Sequence, residues 1–543
     1  MSTADRVSPF LDLVSAPFTL PGSRILVFRD DAVPDGLTVR LAEYERALDD
    51  CVLVRTLRVL DGDGRVAPVS AVRPDRIAFG DSDVTLTFDG PDALSAGGRG
   101  SWSLEVTDPS GATTSFSSAD GSVRISTDGV RRVPGREHEA ALAATGAVWD
   151  AWFARTPAVR DDLADMTAFC WWVLGANIVS LPGRGARAVV PSKIGYVGLW
   201  QWDAYFIASG LRHGDPELAR EQLELAFGYA TADGQLPDVV HDEGVLASSD
   251  DLPPGDRENL RRAGSAIADP AAPIPLTKPP LAAWALRRLD GFVDDPAFFD
   301  AAWEAVARSQ EWWFAHSDLD GDGMPEYGHP YSSGLDDSPV FDAELPVASP
   351  DLAAYLILQD DLLAARARET GDVAAAARYA DRAAHTLALL EGMWDDEAGF
   401  FLSAGAGRPV AAETAVSLLP LLTGRLPGRY VTGILAALDD PERFATTWTV
   451  PTVARREASY SDERMWRGPV WVNVNALLAA GLAVSGHTAR SRELVEETLR
   501  LVIHAGGPHE YFNPSTGQKA RTATTAFGWS AALFVDLAVS VSG

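Results

Sequence analysis

Cysteine is nearly absent. The 543 residues hold two, Cys51 and Cys170, each inside an apolar run (CVLV, AFCWW). That excludes a disulfide framework and a thiolate metal cluster, and both read as buried thiols. The nine histidines form no HExxH pair and no Cys/His cluster, which argues against zinc chemistry. There is no GxSxG elbow, no Walker-type loop and no GxGxxG after a strand, so serine-hydrolase, NTPase and dinucleotide readings fall away. No apolar run reaches the ~18 residues of a membrane span. The opening, MSTADRVSPFLDLVSAPFTL, lacks a basic stretch ahead of an apolar core, so a cytoplasmic location is expected. Basic residues are in deficit, 46 against 76 acidic, for a net charge of −30. A surface that acidic repels phosphate backbones and anionic lipid, so neither nucleic acid nor membrane is an expected partner.

Tryptophan is abundant, with 16 residues. Indoles fill cores, but they also stack on the apolar faces of sugar rings, so position must decide between the two. Hydrophobic residues at 46% and charged residues at 22% describe an ordinary globular chain.

Residues 1–135 read as a β domain. ILVF, LTVRLAEYER, CVLVRTLRVL, RIAF, VTLTF and SWSLEV are short, partly alternating runs, separated by turns such as DGDG, SAGGRG and DPSGA. An antiparallel sandwich follows from that spacing. From 136 to 543 the period becomes helical. DPELAREQLELAFGYA opens with Asp215 as N-cap and Pro216 behind it, and SPDLAAYLILQDDLLAARARE repeats the device at Ser349 and Pro350. Further helices are expected near 201–212, 279–290, 295–316, 373–393, 411–421, 427–438, 468–483, 486–505 and 525–541. Long helices with long loops between pairs, and no fixed repeat, favour an (α/α)6 barrel over a solenoid. Two loops, 233–279 and 316–350, exceed what a connector needs and are expected to shape a site.

Four segments carry residues suited to chemistry. YVGLWQWDAYF places Tyr196, Trp200 and Trp202 around Asp203. An acid beside two indoles needs hydrogen-bond partners, which a sugar's vicinal hydroxyls would supply, although a core helix start would read the same way. SSGLDDSP puts Asp336 and Asp337 in the second long loop, either as an ordinary turn or as a source of a general acid with a raised pKa. RMWRGPVW turns through Trp466, Arg467 and Gly468, either a cation–π core contact or a clamp at the barrel mouth. GGPHEYFNPSTGQ sets Glu510 among aromatics, 174 residues after Asp336, so only a closed fold would unite the two carboxylates. DLDGDGMPE spaces Asp318, Asp320 and Asp322 as the first half of a Ca²⁺ loop does, with Glu326 at position nine. His329 stands at position twelve where an EF-hand has Glu. An Asp/Gly-rich turn is the alternative there.

Taken together, YxGxWxWD (Tyr196–Asp203), SGLDDSP (Ser333–Pro339), WRGPVW (Trp466–Trp471) and HEYFNPSTG followed by FGWSAAL (Phe527–Leu533) resemble glycoside hydrolase family 63 and its mannosylglycerate/glucosylglycerate hydrolase relatives over roughly residues 140–543. The resemblance implies an (α/α)6 barrel and an inverting α-glycosidase mechanism. It implies Asp336 as general acid and Glu510 as general base, roughly 6.5–9.5 Å apart. Tyr196, Trp200, Trp202 and Asp203 would line the −1 sugar subsite, with Trp466, Arg467 and Gly468 flanking it. The Asp-rich loop is similar to a calcium loop of some members, so a structural Ca²⁺ is the one ion expected, and none for the chemistry. There are two departures. Asp337 stands where the family has Asn. Thr277-Lys278-Pro279-Pro280 is similar to a Gln-Pro-Pro element, with Lys278 in place of Gln, and a pocket-facing Lys278 would suit an anionic aglycone. Compact mannosylglycerate hydrolases usually lack an N-terminal β domain.

The expected function is therefore an exo-acting inverting α-glycoside hydrolase on a small carbohydrate, first an α-glucosidase removing a terminal glucose. The alternatives are an α-mannosyl- or α-glucosyl-glycerate hydrolase, an inactive sugar-binding (α/α)6 protein, and an epimerase relying on paired histidines. The oligomeric state is left open.

Overall fold

A computed structural model of the chain describes residues 2–80, 83–181, 185–252 and 273–543. Residues 253–272 of the first long loop therefore lie outside the described residues. The rest group into two compact units.

The first unit is Met1–Gly198 with Thr524–Ala531 and Ser542–Gly543. Its strands are β1 (Ile25–Arg29), β2 (Leu37–Leu41), β3 (Val52–Leu60), β4 (Val69–Arg73), β5 (Arg76–Phe79), β6 (Val84–Phe88), β7 (Ala93–Gly97), β8 (Ser103–Thr107), β9 (Thr113–Ser117), β10 (Ser122–Ser126) and β11 (Gly129–Val133). They form two antiparallel sheets, ordered β1-β2-β3-β8-β9 and β11-β10-β7-β6-β5-β4. Alternation in the sequence becomes one dry face on each sheet. Leu57, Val59 and Leu104 are buried on one, Ile77, Leu86 and Ile125 on the other, as a sandwich requires. Val69–Arg73 and Thr113–Ser117 show why some strands escaped the sequence pattern. They are edge strands, largely exposed, with little apolar alternation to read.

Helices α1 (Thr3–Val7), α2 (Gly135–Phe153) and α3 (Ala164–Ala176) complete this unit. Trp152 and Trp171 stack at 4.7 Å, each indole N–H donating to the other residue's carbonyl. The change of sequence character at residue 136 thus coincides with a helix start, while the packing boundary falls at Gly198.

The second unit is Leu199–Ala523 with Ala532–Val541, and the chain as a whole has the expected class, an antiparallel β-sandwich ahead of a helical barrel of (α/α)6 type. Its helices are α4 (Gln201–Leu211), α5 (Pro216–Phe227), α6 (Ala282–Arg288), α7 (Pro296–His316), α8 (Pro330–Ser333), α9 (Pro350–Thr370), α10 (Val373–Gly392), α11 (Gly428–Leu438), α12 (Val472–Val484) and α13 (Thr488–His504). The final helix, α14 (Gly528–Ser542), is divided between the units. Consecutive helices pack as pairs, α4 on α5, α9 on α10 and α12 on α13. Asp215 accepts from Leu218 N–H, the cap expected of it.

Buried polar side chains tie helices together both between pairs and within them. Gln359 accepts from Ala283 N–H and donates to Gln310, while Asp360 takes a two-pronged bond from Arg382 at 2.9 and 2.7 Å. Buried groups so satisfied fix helix register. The helix expected at 411–421 is instead two 3-10 turns, Ala415–Ser417 and Leu419–Thr423. Pro420 lacks the N–H that a continuous α-helix would need there. Among the described residues no helix is long and apolar enough to cross a membrane.

Candidate active site

The second unit gathers its chemistry from four loop segments. The start of α4 is fixed by a small sheet in which Leu199–Trp200 pairs with Val239–Val240, and Gln201 N–H donates to the Asp238 carbonyl at 2.9 Å. Gln201 then organises the next segment. Its side-chain oxygen accepts from Lys278 N–H at 3.2 Å and from the Thr277 hydroxyl at 3.3 Å. Thr277 N–H in turn donates to Ser332 in α8. The turn after α8 is tight: Gly334 N–H bonds the Tyr331 carbonyl, Leu335 N–H the Ser333 hydroxyl and Ser338 N–H the Leu335 carbonyl. Opposite lies the 464–471 corner, and Val470 exchanges backbone bonds of 2.8 and 2.9 Å with Phe512, which sets the Glu510 segment alongside it.

An aromatic series runs through the site. The Trp466 and Trp471 rings stack at 3.6 Å, Trp471 lies 4.7 Å from Tyr511, and Trp202 is 6.2 Å from Trp466. Its ends are the neighbours in sequence of Asp203 and of Glu510. Trp202 and Trp466 are buried, whereas Trp200 is half-buried. Tyr196 belongs to the first unit, half-buried, with Phe527 edge-on at 5.8 Å.

Around this series sit four carboxyl groups and one ammonium. Asp203, Asp238, Glu510 and Lys278 are all buried, and Asp336 is half-buried. Lys278 pairs with Asp238 at 2.9 Å and donates to the Tyr331 carbonyl at 2.7 Å. Burial alone would lower the Lys278 pKa, but Asp238 first, then Asp336 and Asp203, hold it above its usual value. Asp203 is driven well above the carboxylate range by burial, Lys278 opposing and Asp238 and Glu510 adding to the rise. Asp336 is pushed up to about 7 by burial, with Lys278 resisting and Asp238, Asp337 and Glu510 reinforcing. The two carboxyls paired by the sequence reading, Asp336 and Glu510, are thus brought into electrostatic contact across 174 residues of chain.

The remaining site residues are engaged with protein. Asp337 accepts from Trp466 N–H at 2.8 Å and Arg464 at 3.1 Å, with Arg467 4.0 Å away. Burial raises its pKa against those donors. Arg467, expected to clamp substrate, is buried and directs its guanidinium to both Asp342 oxygens, at 2.7 and 2.5 Å. It therefore fastens the 336–342 turn to the 464–468 corner. Gly468 is buried against Ser461, whose carbonyl carbon would lie 2.9 Å from an added Cβ; close backbone approach explains the glycine. Lys278, expected to meet an anionic aglycone, has its ammonium paired with Asp238 and bonded to the Tyr331 carbonyl.

Sequence reasoning missed Asp238 and Gln201. LPDVV does carry a signal, an acid between proline and two valines in the first long loop, but its partner lies 40 residues on in sequence. Gln201 sits between two tryptophans already assigned to sugar contact, and nothing local marks its amide.

In the 316–350 loop the carboxyl oxygens of Asp318, Asp320 and Asp322 lie within 4.8 Å of one another. Glu326 is buried beside them, accepting from Leu319 N–H at 2.8 Å. Burial and the three neighbouring acids push its carboxyl up to about 7.

A profile of the mannosylglycerate hydrolase MGH1-like glycoside hydrolase domain matches residues 196–530. A mannosylglycerate hydrolase of Thermus thermophilus is 30% identical over 422 residues, 66% of this chain and 98% of the relative. A glucosylglycerate hydrolase of Mycolicibacterium hassiacum is 25% identical, over 63% of this chain and 92% of the relative. The crystal structure of a family 63 mannosylglycerate hydrolase from Thermus thermophilus with glucose superimposes with a TM-score of 0.55, at 27% identity, over 68% of this chain and 98% of that one. With those matches, and with the carboxyl pair and aromatic series in place, the chain belongs to the MGH1-like glycoside hydrolases of family 63.

Proposed function

We propose that this glycoside hydrolase cleaves an α-mannosyl- or α-glucosyl-glycerate with inversion, Asp336 acting as general acid and Glu510 as general base. The observation that carries the reading is the Asp336 carboxyl, pushed up to about 7 beside buried Glu510. A general acid must hold its proton at working pH, and the base must be ionised. Asp336 gives its proton to the glycosidic oxygen as the bond to the anomeric carbon breaks. Glu510 takes a proton from a water attacking the opposite face, so an α-glycoside yields the β-sugar. The half-buried Trp200 offers a face for the sugar ring, and Asp203 an acceptor or donor for its hydroxyls. Asp337 suits the acid's role less well, since Trp466 N–H and Arg464 already bind it.

The named activities of the relatives favour glycerate as aglycone over the neutral glucosides first expected from the sequence. An NMR time course on mannosylglycerate, glucosylglycerate, nigerose, kojibiose and trehalose tests this. The expected result is release of the β-anomer from a glycosyl-glycerate, with the neutral sugars much slower. Initial release of the α-anomer overturns the mechanism. Turnover of the neutral disaccharides alone returns the assignment to an α-glucosidase.

The donor set of Asp318, Asp320 and Asp322, hard oxygen ligands within 4.8 Å of one another, fits a Ca²⁺ ion, with Glu326 buried nearby as a further carboxylate. We propose a structural role for it, bracing the loop that leads to Asp336, with no part in the chemistry. Calorimetric titration of the chelator-treated protein is expected to give one site. Ca²⁺ is expected to raise the melting temperature of the wild type and leave Asp320→Ala unmoved. An equal rise in both, or no heat, rejects the site.

A further inference from the structure

The Lys278–Asp238 ion pair stands inside the site, and the proton transfers proposed for Asp336 and Glu510 do not use it. It is costly to keep: two buried charges give up their hydration, and apolar replacements are often no less stable. Its position gives a reason for it. Lys278 reaches three segments at once. Its ammonium holds Asp238, next to the strand pair at the start of α4, and the Tyr331 carbonyl in α8, five residues before Asp336. Its backbone N–H is held by Gln201. The charged groups acting on Asp336 are Lys278 and Asp238 from these segments, Asp337 from its own turn and Glu510 from across the site. Arg464 and Arg467 stand behind Asp337.

We propose that Lys278 and Asp238 form a positioning pair that fixes the place and the charge state of Asp336. This rests on the reading of Asp336 as the general acid. Lys278 pins the turn through the Tyr331 carbonyl, and its positive charge favours the ionised acid. Asp238 cancels most of that charge, so Asp336 keeps its proton near neutrality. The signs of the two single-residue effects are therefore opposite. Without Lys278 the acid retains its proton to higher pH. Without Asp238 the ammonium acts unopposed and the acid loses its proton at lower pH.

The test is the alkaline limb of the kcat/KM profile in Lys278→Met, Asp238→Asn and the double variant. The limb is expected to move up by about one pH unit in the first and down by about one in the second, as for a unit charge removed several ångströms away. The double variant returns near the wild-type limb, and Lys278→Arg, which keeps the charge, stays there. A merely structural pair lowers activity in both single variants and leaves both limbs in place, and that result overturns the proposal, as do shifts in one direction.

Infrared difference spectra of the protonated carboxyl, assigned by its loss in Asp336→Asn, follow the same titration without substrate. Opposite shifts of that band in a protein that hydrolyses no glycoside uphold the pair's control of Asp336 and overturn the proposed function. A band that stays fixed in an active enzyme does the reverse. Should Lys278→Met fail to fold, Asp238→Asn alone carries the test, since its downward shift has no structural counterpart.

Discussion

Asp336→Asn is expected to lower kcat on a glycosyl-glycerate by about 10²- to 10⁴-fold, the range a general acid contributes. Asparagine matches aspartate in size, and the turn that carries it is held by backbone bonds at Gly334, Leu335 and Ser338, so the fold is expected to persist. The loss should depend on the leaving group. A glycosyl fluoride needs little protonation, so Asp336→Asn should retain much of its activity there, while Glu510→Gln, which removes the base, should lose activity on both substrates. Asp337→Asn is a sharp control. Its side-chain oxygen can still accept from Trp466 N–H, so its effect on kcat should be far smaller. Equal losses at 336 and 337 would take the acid's role away from Asp336.

The same carboxyl makes a second, opposite mark on stability. Its folded pKa, about 7, lies above the roughly 3.9 of an unperturbed aspartate. The unfolded chain therefore releases this proton first, and the group disfavours folding progressively as pH rises from about 4 to about 7. Asp336→Asn removes that burden. Its melting temperature should match the wild type at pH 4 and exceed it at pH 8, while activity is lost. An acid kept protonated by burial is useful to catalysis and unfavourable to the fold, and the two effects should separate in one variant.

How much of this was legible in the sequence follows from the range of the interactions involved. Helices announced themselves by local means: Asp215 with Pro216 at the start of α5, and the 3.6-residue stripe behind them. Strands with one dry face, such as Val52–Leu60, were equally readable, whereas the exposed edges at Val69–Arg73 and Thr113–Ser117 were not. At the site, Asp203, Asp336 and Glu510 stood out because each acid sat in a motif with aromatics, glycine or proline. What they meet was not legible. Arg467 read as a clamp because its partner, Asp342, lies 125 residues away. The partners of Lys278 were hidden because Asp238 and the Tyr331 carbonyl reach it only after the barrel closes. Single-sequence patterns report a residue's own surroundings in the chain, and the destination of a charge is set by tertiary pairing.

Gly334→Ala is expected to cost roughly 2–5 kcal/mol and to lower activity with it. Two terms add. Gly334 has φ +71°, a left-handed conformation that costs an alanine about 1–2 kcal/mol. A Cβ there would also lie 2.5 and 2.6 Å from Trp202 Cε2 and Cη2, distances real Cβ atoms do not tolerate, and overpacking of this kind typically costs about 1–3 kcal/mol. The indole has little room to yield. Phe206 lies 5.7 Å from it and Trp466 6.2 Å, and Trp466 is itself stacked on Trp471 at 3.6 Å. Movement of Trp202 would pass to Asp203 beside it, and movement of the turn would pass to Asp336 two residues on, so chemistry should suffer along with stability. Gly371→Ala separates the terms. Gly371 ends α9 at φ +80° with nothing within 4 Å of an added Cβ, so it should show the conformational cost alone and leave kcat unchanged. Trp202→Phe combined with Gly334→Ala should recover part of the packing loss, because the smaller ring vacates the space the methyl needs. If Gly334→Ala melts no lower than Gly371→Ala, the indole is not packed against the turn, and the coupling of Trp202 to the acid's position fails with it.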